Sequence, residues 1–327
     1  LNKKIFLAIT SANEKDLRQT VESAINNSSG ENILTFGIFD LCMNGFAKTD
    51  FSDLDNVIYM PMEFNGTQGI GLARLITSSI IFQDTDYVLQ LDSHMLFTKN
   101  WDNILINNHL NLESQYSKPI ISSRCPHWEY NLDGKIIINN NILEDIKNFN
   151  LPLDAKASRL VFRDYKKAII QDGYPTIEGL DCNNVDFVEH NLISAQFTFS
   201  RPELYNEILH DPRLPWGGDE PIYSLRAWTR GYRMFSIKEI ICFHYNKKTM
   251  GGAYGKDDPN DWRNLKNNDK RLFKFYLKRY EDGQKIMKDI LTGQYLGYWG
   301  SPSIEKLNEF ENACSINFKE FYGLKNG

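Results

Sequence analysis

The run Tyr87-Val-Leu-Gln-Leu-Asp92, followed by Ser93-His94, constrains this chain more than any other stretch. An almost continuous apolar run of this length, without strict alternation, reads as a strand buried on both faces. Such strands need a helix layer on each side of their sheet. The run ends in Asp-x-His, which puts two potential ligands at a strand's carboxyl end. In open α/β sheets that edge is where ligands bind. Alternation sets residues i and i+2 on one side, so Asp92 and His94 are expected to share one cation. Carboxylate plus imidazole suits Mn²⁺ or a similar ion better than Ca²⁺. The plainer alternative is that Asp92 caps a turn and His94 is a satisfied loop histidine.

The surrounding pattern supports a sheet of this kind. Lys4–Thr10 and Ile33–Phe39 read as buried strands, the second ending at Asp40, and Val57–Met60 reads as a shorter one. Leu17–Asn26 and Gly71–Phe82 carry apolar residues at helical spacing. Strands alternating with helices predict an α/β fold with a mixed, mostly parallel, Rossmann-like sheet and helices on both faces. Further on, Ile120–Ser122, Phe197–Phe199 and Met234–Phe235 are expected to extend the sheet. Asn131–Asn150 is expected to be an irregular excursion, Glu220–Arg230 a helix and Ile240–His244 a short strand. From residue 246 the composition shifts: Lys247 to Lys285 holds 11 Lys/Arg against 6 Asp/Glu. Phe273, Tyr276, Leu277 and Tyr280 recur there at helical spacing. The expected division is a sheet domain over residues 1–245 and a basic, helical C-terminal extension over 246–327.

Composition sets outer limits. A net charge of −5 means that the whole surface is not built for polyanions, although a local basic face remains open. Five scattered cysteines lack metal-site or disulfide-framework spacing and favour a reducing compartment, so a cytoplasmic location is expected. No apolar stretch reaches the ~18 residues of a membrane span. Leu1 to Thr10 reads as a first strand and not as a signal peptide.

Three further constellations bear on chemistry. His244 ends its own short apolar run and is a candidate third ligand beside Asp92 and His94, though alone it reads as structural. Asp211-Pro-Arg-Leu-Pro-Trp216-Gly217-Gly218-Asp219-Glu220 places twin glycines and adjacent carboxylates at a helix start. Glycines let a ligand approach the backbone closely, and an acid there can orient a hydroxyl or act as a base. A simple helix cap is an equal reading. Trp216 either stacks on a ligand or fills the core. Finally, Asn65-Gly66-Thr-Gln-Gly69-Ile-Gly71-Leu-Ala-Arg74 precedes a helix without being a P-loop. Arg74 there either reaches a diphosphate or base, or is a plain surface arginine.

Taken together, Gly71-Leu-Ala-Arg74, Tyr87 to Phe97 with Trp101-Asp102, Pro119-Ile-Ile-Ser122, Asp211-Pro-Arg-Leu-Pro215, Gly218-Asp219-Glu220, Arg226-Ala-Trp228-Thr-Arg-Gly231-Tyr232 and His244 resemble one family. It is the family of cytoplasmic GlcNAc-transferases that modify hydroxyproline on Skp1, and the resemblance covers roughly residues 4 to 245. The Asp-x-His and Trp-Gly-Gly-acid segments are also similar to those of polypeptide GalNAc-transferases. The resemblance implies a GT-A fold, a UDP-sugar donor, a divalent metal (Mn²⁺ or Mg²⁺) and retention of anomeric configuration. By that similarity Asp92, His94 and His244 hold the metal, and Asp219 and Glu220 are catalytic, facing sugar and acceptor. Thr10, Ser11 and Asp40 contact the uridine, and Arg74, Trp216 and Gly218 border the donor. The chain departs from the family at Leu96, where an arginine is usual, and at Gly218 and Asp219, where a bulky residue and Glu are usual. The acceptor implied is a protein hydroxyl. A glycan or hydroxymethylated DNA is the alternative acceptor, the DNA reading resting on the basic C-terminal segment with its aromatics. A non-catalytic nucleotide-sugar-binding protein and a metal-dependent hydrolase are the competing classes.

Overall fold

The computed structural model describes residues 2–12, 14–42, 48–63, 69–138, 141–143, 156–164, 174–214, 219–245 and 270–324. In chain order the strands are β1 (Lys4–Ser11), β2 (Ile33–Cys42), β3 (Val57–Glu63), β4 (Tyr87–Asp92), β5 (Met95–Phe97), β6 (Pro119–Ser122), β7 (His127–Tyr130), β8 (Ile136–Ile138), β9 (Asn141–Leu143), β10 (Ala157–Phe162), β11 (Ile177–Cys182), β12 (Phe187–His190), β13 (Phe197–Ser200), β14 (Arg233–Ile237) and β15 (Cys242–Tyr245). The helices are α1 (Leu17–Asn27), α2 (Ile70–Ser79), α3 (Trp101–Glu113), α4 (Glu203–Glu207), α5 (Asp219–Trp228), α6 (Lys270–Leu291), α7 (Ile304–Cys314) and α8 (Phe318–Phe321).

Eight strands form one sheet in the order β12-β14-β6-β13-β4-β1-β2-β3. The four strands β4-β1-β2-β3 run parallel, as does the pair β14–β6, while β13 and β12 pair antiparallel with their neighbours. The register aligns the carboxyl ends: Thr10 lies opposite both Phe39 and Asp92, and Ser11 lies opposite Asp40. The apolar runs that predicted buried strands do lie between two helix layers. On one face Leu17, Val21 and Ala24 of α1 and Trp101, Leu105 and Leu112 of α3 cover the sheet. On the other, Leu204 and Tyr205 of α4 and Tyr223 and Ala227 of α5 pack on Phe6, Ala8 and Val88.

A second, smaller sheet has the order β5-β15-β7-β8-β9, with Leu96, Trp128, Ile138, Phe243 and Tyr245 at its core. This sheet differs from the sequence expectation in one way. The segment expected to be irregular carries β8 and β9, because Ile136-Ile-Ile138 pairs on β7 and supplies an apolar side chain to that core. The short strand expected near His244 is β15, and its pairing with β5 and β7 makes it part of this sheet.

The C-terminal helices pack against α5. Met287, Ile290 and Leu291 of α6, with Leu307 and Phe310 of α7 and Phe318 of α8, share a buried cluster with Ile222 and Leu225. Among the described residues no helix is long and apolar enough to cross a membrane.

Gly71 marks a close approach that positions α2. Its N–H donates to Leu214 O at 3.0 Å. A Cβ at this position would stand 2.1 Å from Asp211 O and 2.8 Å from Leu214 O. Backbone cannot retreat as a flexible side chain can, so Gly71→Ala is expected to destabilise by about 1–3 kcal/mol in urea denaturation. An unchanged midpoint would contradict this packing.

Three buried histidines make stability depend on pH. His109, His190 and His210 are 0%, 5% and 2% exposed. Burial depresses each: His109 and His190 to about 4, and His210 well below its ordinary value. A histidine neutral in the fold gains a proton on unfolding below about pH 6.5, so the unfolded chain binds more protons there and stability falls. Their contribution to stability should therefore be constant above pH 7 and be lost as the pH falls from about 6.5 toward 4, on the order of 3 kcal/mol each for His109 and His190, with His210 acting in the same direction. Denaturant melts across that range check the sign; stability that rises on acidification would contradict it.

Candidate active site

The sheet ends bring three expected ligands together, but not by strand alternation. Asp92 is the last residue of β4. The chain then bends at Ser93-His94 and enters β5 of the second sheet, so His94 sits at the crossing between sheets. Its carbonyl is held from two sides: Tyr245 N and Trp128 Nε1 each donate to it at 3.1 Å. His244 on β15 lies opposite Met95 of β5. This pairing points His244 Nε2 to 3.0 Å from His94 Nε2 and 3.2 Å from Asp92 Oδ2. One ligand atom from each of the three lies within 4.8 Å of the others, and among the described residues no other such group occurs.

The donor set fits a divalent cation. Two neutral imidazole Nε2 atoms at 3.0 Å can share one N–H···N hydrogen bond, and the spacing also suits two ligands of one ion. Two ligands at a right angle, each about 2.1 Å from one ion, also stand about 3 Å apart. The electrostatics agree with ligands ready to bind. Burial opposes ionisation of Asp92, but the hydrogen bond from His244 and the neighbouring His94 and Arg74 outweigh it and hold its carboxyl below the usual range. Burial, aided by His94 and opposed by Asp92, pushes His244 down to about 4. At neutral pH this leaves a carboxylate beside a neutral imidazole, the forms a metal requires.

Arg74 does not stand on the surface. It is 6% exposed, donates from Nη1 to Asp219, and has Nη2 3.7 Å from Asp92 Oδ1. It thus links α2 to the end of β4 and to the first residue of α5. Glu220, the next residue, accepts from Ala195 N at 2.8 Å. Burial raises its carboxyl, with Asp219 adding to the rise and Arg124 opposing it. The following residue of that turn, Gln196, accepts from Asp92 N at 3.3 Å. The second acid and the first ligand are therefore anchored to one stretch of backbone.

Along the rim from Asp92, Thr10 Oγ1, Ser11 Oγ and Asp40 Oδ1 are buried without a hydrogen-bond partner. Asp40 Oδ2 accepts from Tyr59 OH at 2.8 Å. A buried polar atom without a partner costs about 1–3 kcal/mol. All three residues lie at the carboxyl ends of the adjacent strands β1 and β2, next to Asp92. Tyr59 and Arg124 escape sequence reading: one is an aromatic inside a strand and the other a lone cation after one, and only contacts show where they point. Trp216, Gly218 and the glycine-rich residues 65–68 lie outside the described residues, as do residues 246–269 of the basic segment.

Comparison with known proteins sets this geometry in context. The chain covers 99% of its own length and 56% of the partner chain in a superposition on GalNAc-T7, a structure determined with UDP, GalNAc and Mn²⁺, at 17% identity and a TM-score of 0.55. It thus spans little more than half of that protein. TarS of S. aureus, residues 1–349 with UDP, aligns over 89% of this chain and 70% of that one, at 13% identity and a TM-score of 0.43. No curated protein matches the chain significantly. The sequence profile of the family described as Glycosyltransferase (GlcNAc) matches residues 4–295. The chain therefore has the GT-A fold and belongs to the GlcNAc glycosyltransferase family.

Proposed function

We propose that the protein transfers a sugar, GlcNAc, from a UDP-sugar to an acceptor hydroxyl on a protein, with retention of configuration. The observation that carries this is the convergence of Asp92, His94 and His244 beside a row of unpartnered polar atoms. Those three residues would hold Mn²⁺ or Mg²⁺, which supplies neutralisation of charge on a departing diphosphate. Thr10, Ser11 and Asp40 bind the uridine. Asp40 offers Oδ1 as an acceptor while Tyr59 holds the other oxygen. Trp216 and Gly218 border the donor sugar.

The acidic pair divides its work. Asp219 is engaged by Arg74, which also faces Asp92, so this pair orients the ligand carboxylate and the start of α5. Glu220 receives the acceptor proton on its carboxylate, a role that a raised carboxyl suits better than an ordinary one. Residues 1–245 carry the catalytic chemistry. Within the extension over 246–327, the described residues 270–324 buttress α5 through the cluster of Met287, Ile290 and Phe310 against Ile222 and Leu225. The scattered cysteines support a cytoplasmic setting.

UDP-sugars should raise the melting temperature only with Mn²⁺ or Mg²⁺ present, and equal stabilisation in EDTA would contradict the metal assignment. With a UDP-sugar and acceptor, Asp92→Ala should lose at least about 100-fold in UDP release. A metal-dependent hydrolase would instead release UDP at a rate and with a product that adding acceptor leaves unchanged. For Glu220, the acid limb of kcat/KM should fall above the ordinary carboxylate range, since the deprotonated form is required. Glu220→Gln should remove that limb and cost about 10²–10⁴-fold in transfer. An unchanged pH profile in Glu220→Gln would assign the proton to another group.

A further inference from the structure

We propose that Glu14 is a positioning residue that fixes the ring of His94 so that Nε2 faces the cation. This rests on the metal-dependent reading above. Glu14 precedes α1, where its carbonyl accepts from Leu17 N at 3.3 Å. Its Oε1 lies 3.5 Å from His94 Nδ1, on the opposite side of the ring from His244 and Asp92. Both side chains are almost out of water, at 11% exposed for His94 and 12% for Glu14.

An imidazole has one N–H and one lone pair when neutral, and which nitrogen carries the proton depends on what faces each. A carboxylate behind Nδ1 can only accept, so it selects the Nδ1–H form. That form leaves the lone pair on Nε2, the atom directed at His244 and the candidate ion site. Carboxylates behind metal-ligating histidines act in this way, and losing one typically weakens metal binding about 10- to 100-fold. Asp16 is the other acid nearby, but its Oδ1 accepts from Tyr130 OH at 2.7 Å. The backbone of His94 is already fixed by Tyr245 N and Trp128 Nε1, so ring orientation is the freedom left for Glu14 to set. Nδ1 of both His94 and His244 is buried without a hydrogen-bond partner, and at His94 the Glu14 carboxylate stands 3.5 Å from it, close enough to accept from Nδ1–H after a small ring turn.

The test is direct Mn²⁺ titration, read as loss of the free-ion electron paramagnetic resonance signal, with the parent chain, Glu14→Ala and Glu14→Gln in the absence of donor. Glu14→Ala should bind Mn²⁺ about 10- to 100-fold more weakly, with a melting temperature in EDTA equal to the parent's. Glu14→Gln should recover part of the loss, since its amide oxygen still accepts from Nδ1–H. Both variants binding within twofold of the parent would overturn the role of Glu14 while leaving the metal site standing. A parent that binds no Mn²⁺ would instead sink the metal-dependent reading. Nitrogen-15 correlation spectra of the metal-free parent read the tautomer independently. They should show His94 protonated at Nδ1, with Glu14→Ala shifting it toward the other form and Glu14→Gln less so; His94 protonated at Nε2 in the parent would overturn the proposal even if Glu14→Ala fails to fold.

Discussion

The pairing of β15 with β5 is the contact on which the site depends. β4 delivers Asp92 to the rim of the main sheet, and the two residues after it carry the chain into a second sheet. Had β5 simply continued β4, His94 would have followed Asp92 along one strand face and His244 would have had no way to approach. Instead His244 is placed opposite Met95, and Tyr245 N closes on the carbonyl of His94. Trp128 on β7 adds its indole N–H to the same carbonyl. The small sheet thus acts as a bracket with its own apolar core of Leu96, Trp128 and Phe243, which lends the histidines rigidity that a loop would lack.

Charge around the bracket is arranged in alternation. Asp92, Arg74 and Asp219 form a negative, positive, negative row that crosses from β4 through α2 to α5. A buried guanidinium needs carboxylate partners, and two acids so near one site need a cation between them. Gly71 makes this possible at the backbone level: the α2 start can lie against Asp211 and Leu214 only because no side chain intervenes. Arg74 of the same helix reaches Asp219 at the start of α5, so the packing of one glycine and the placing of the acids are parts of one arrangement.

Much of this was legible from residues. The apolar runs at Lys4, Ile33 and Tyr87 became neighbouring parallel strands, since a strand buried on both faces announces itself by composition. Asp92, His94 and His244 were separable as candidates because strand-end acids and histidines are conspicuous. What periodicity does not contain is long-range pairing. Alternation along one strand was the wrong reason for joining Asp92 to His94, because the bend at Ser93 moves the second residue into another sheet. Ile136 to Ile138 looked like part of an irregular stretch, since Asn and Asp surround it, until its pairing on β7 is seen. Arg74 left two readings open, and its carboxylate partners lie 18 and 145 positions away in the sequence. Tyr59 and Glu14 carried no local signal at all, because their importance comes from the atom each one faces.

Diffraction from a crystal grown with Mn²⁺ and UDP, collected at the manganese absorption edge, addresses the central claim most directly. The expected result is one anomalous peak bonded to Asp92, His94 and His244, with UDP along the rim beside Thr10, Ser11 and Asp40. A peak elsewhere, or UDP bound with both histidine rings turned from any density, would contradict the shared cation and with it the role given to the neighbouring acids.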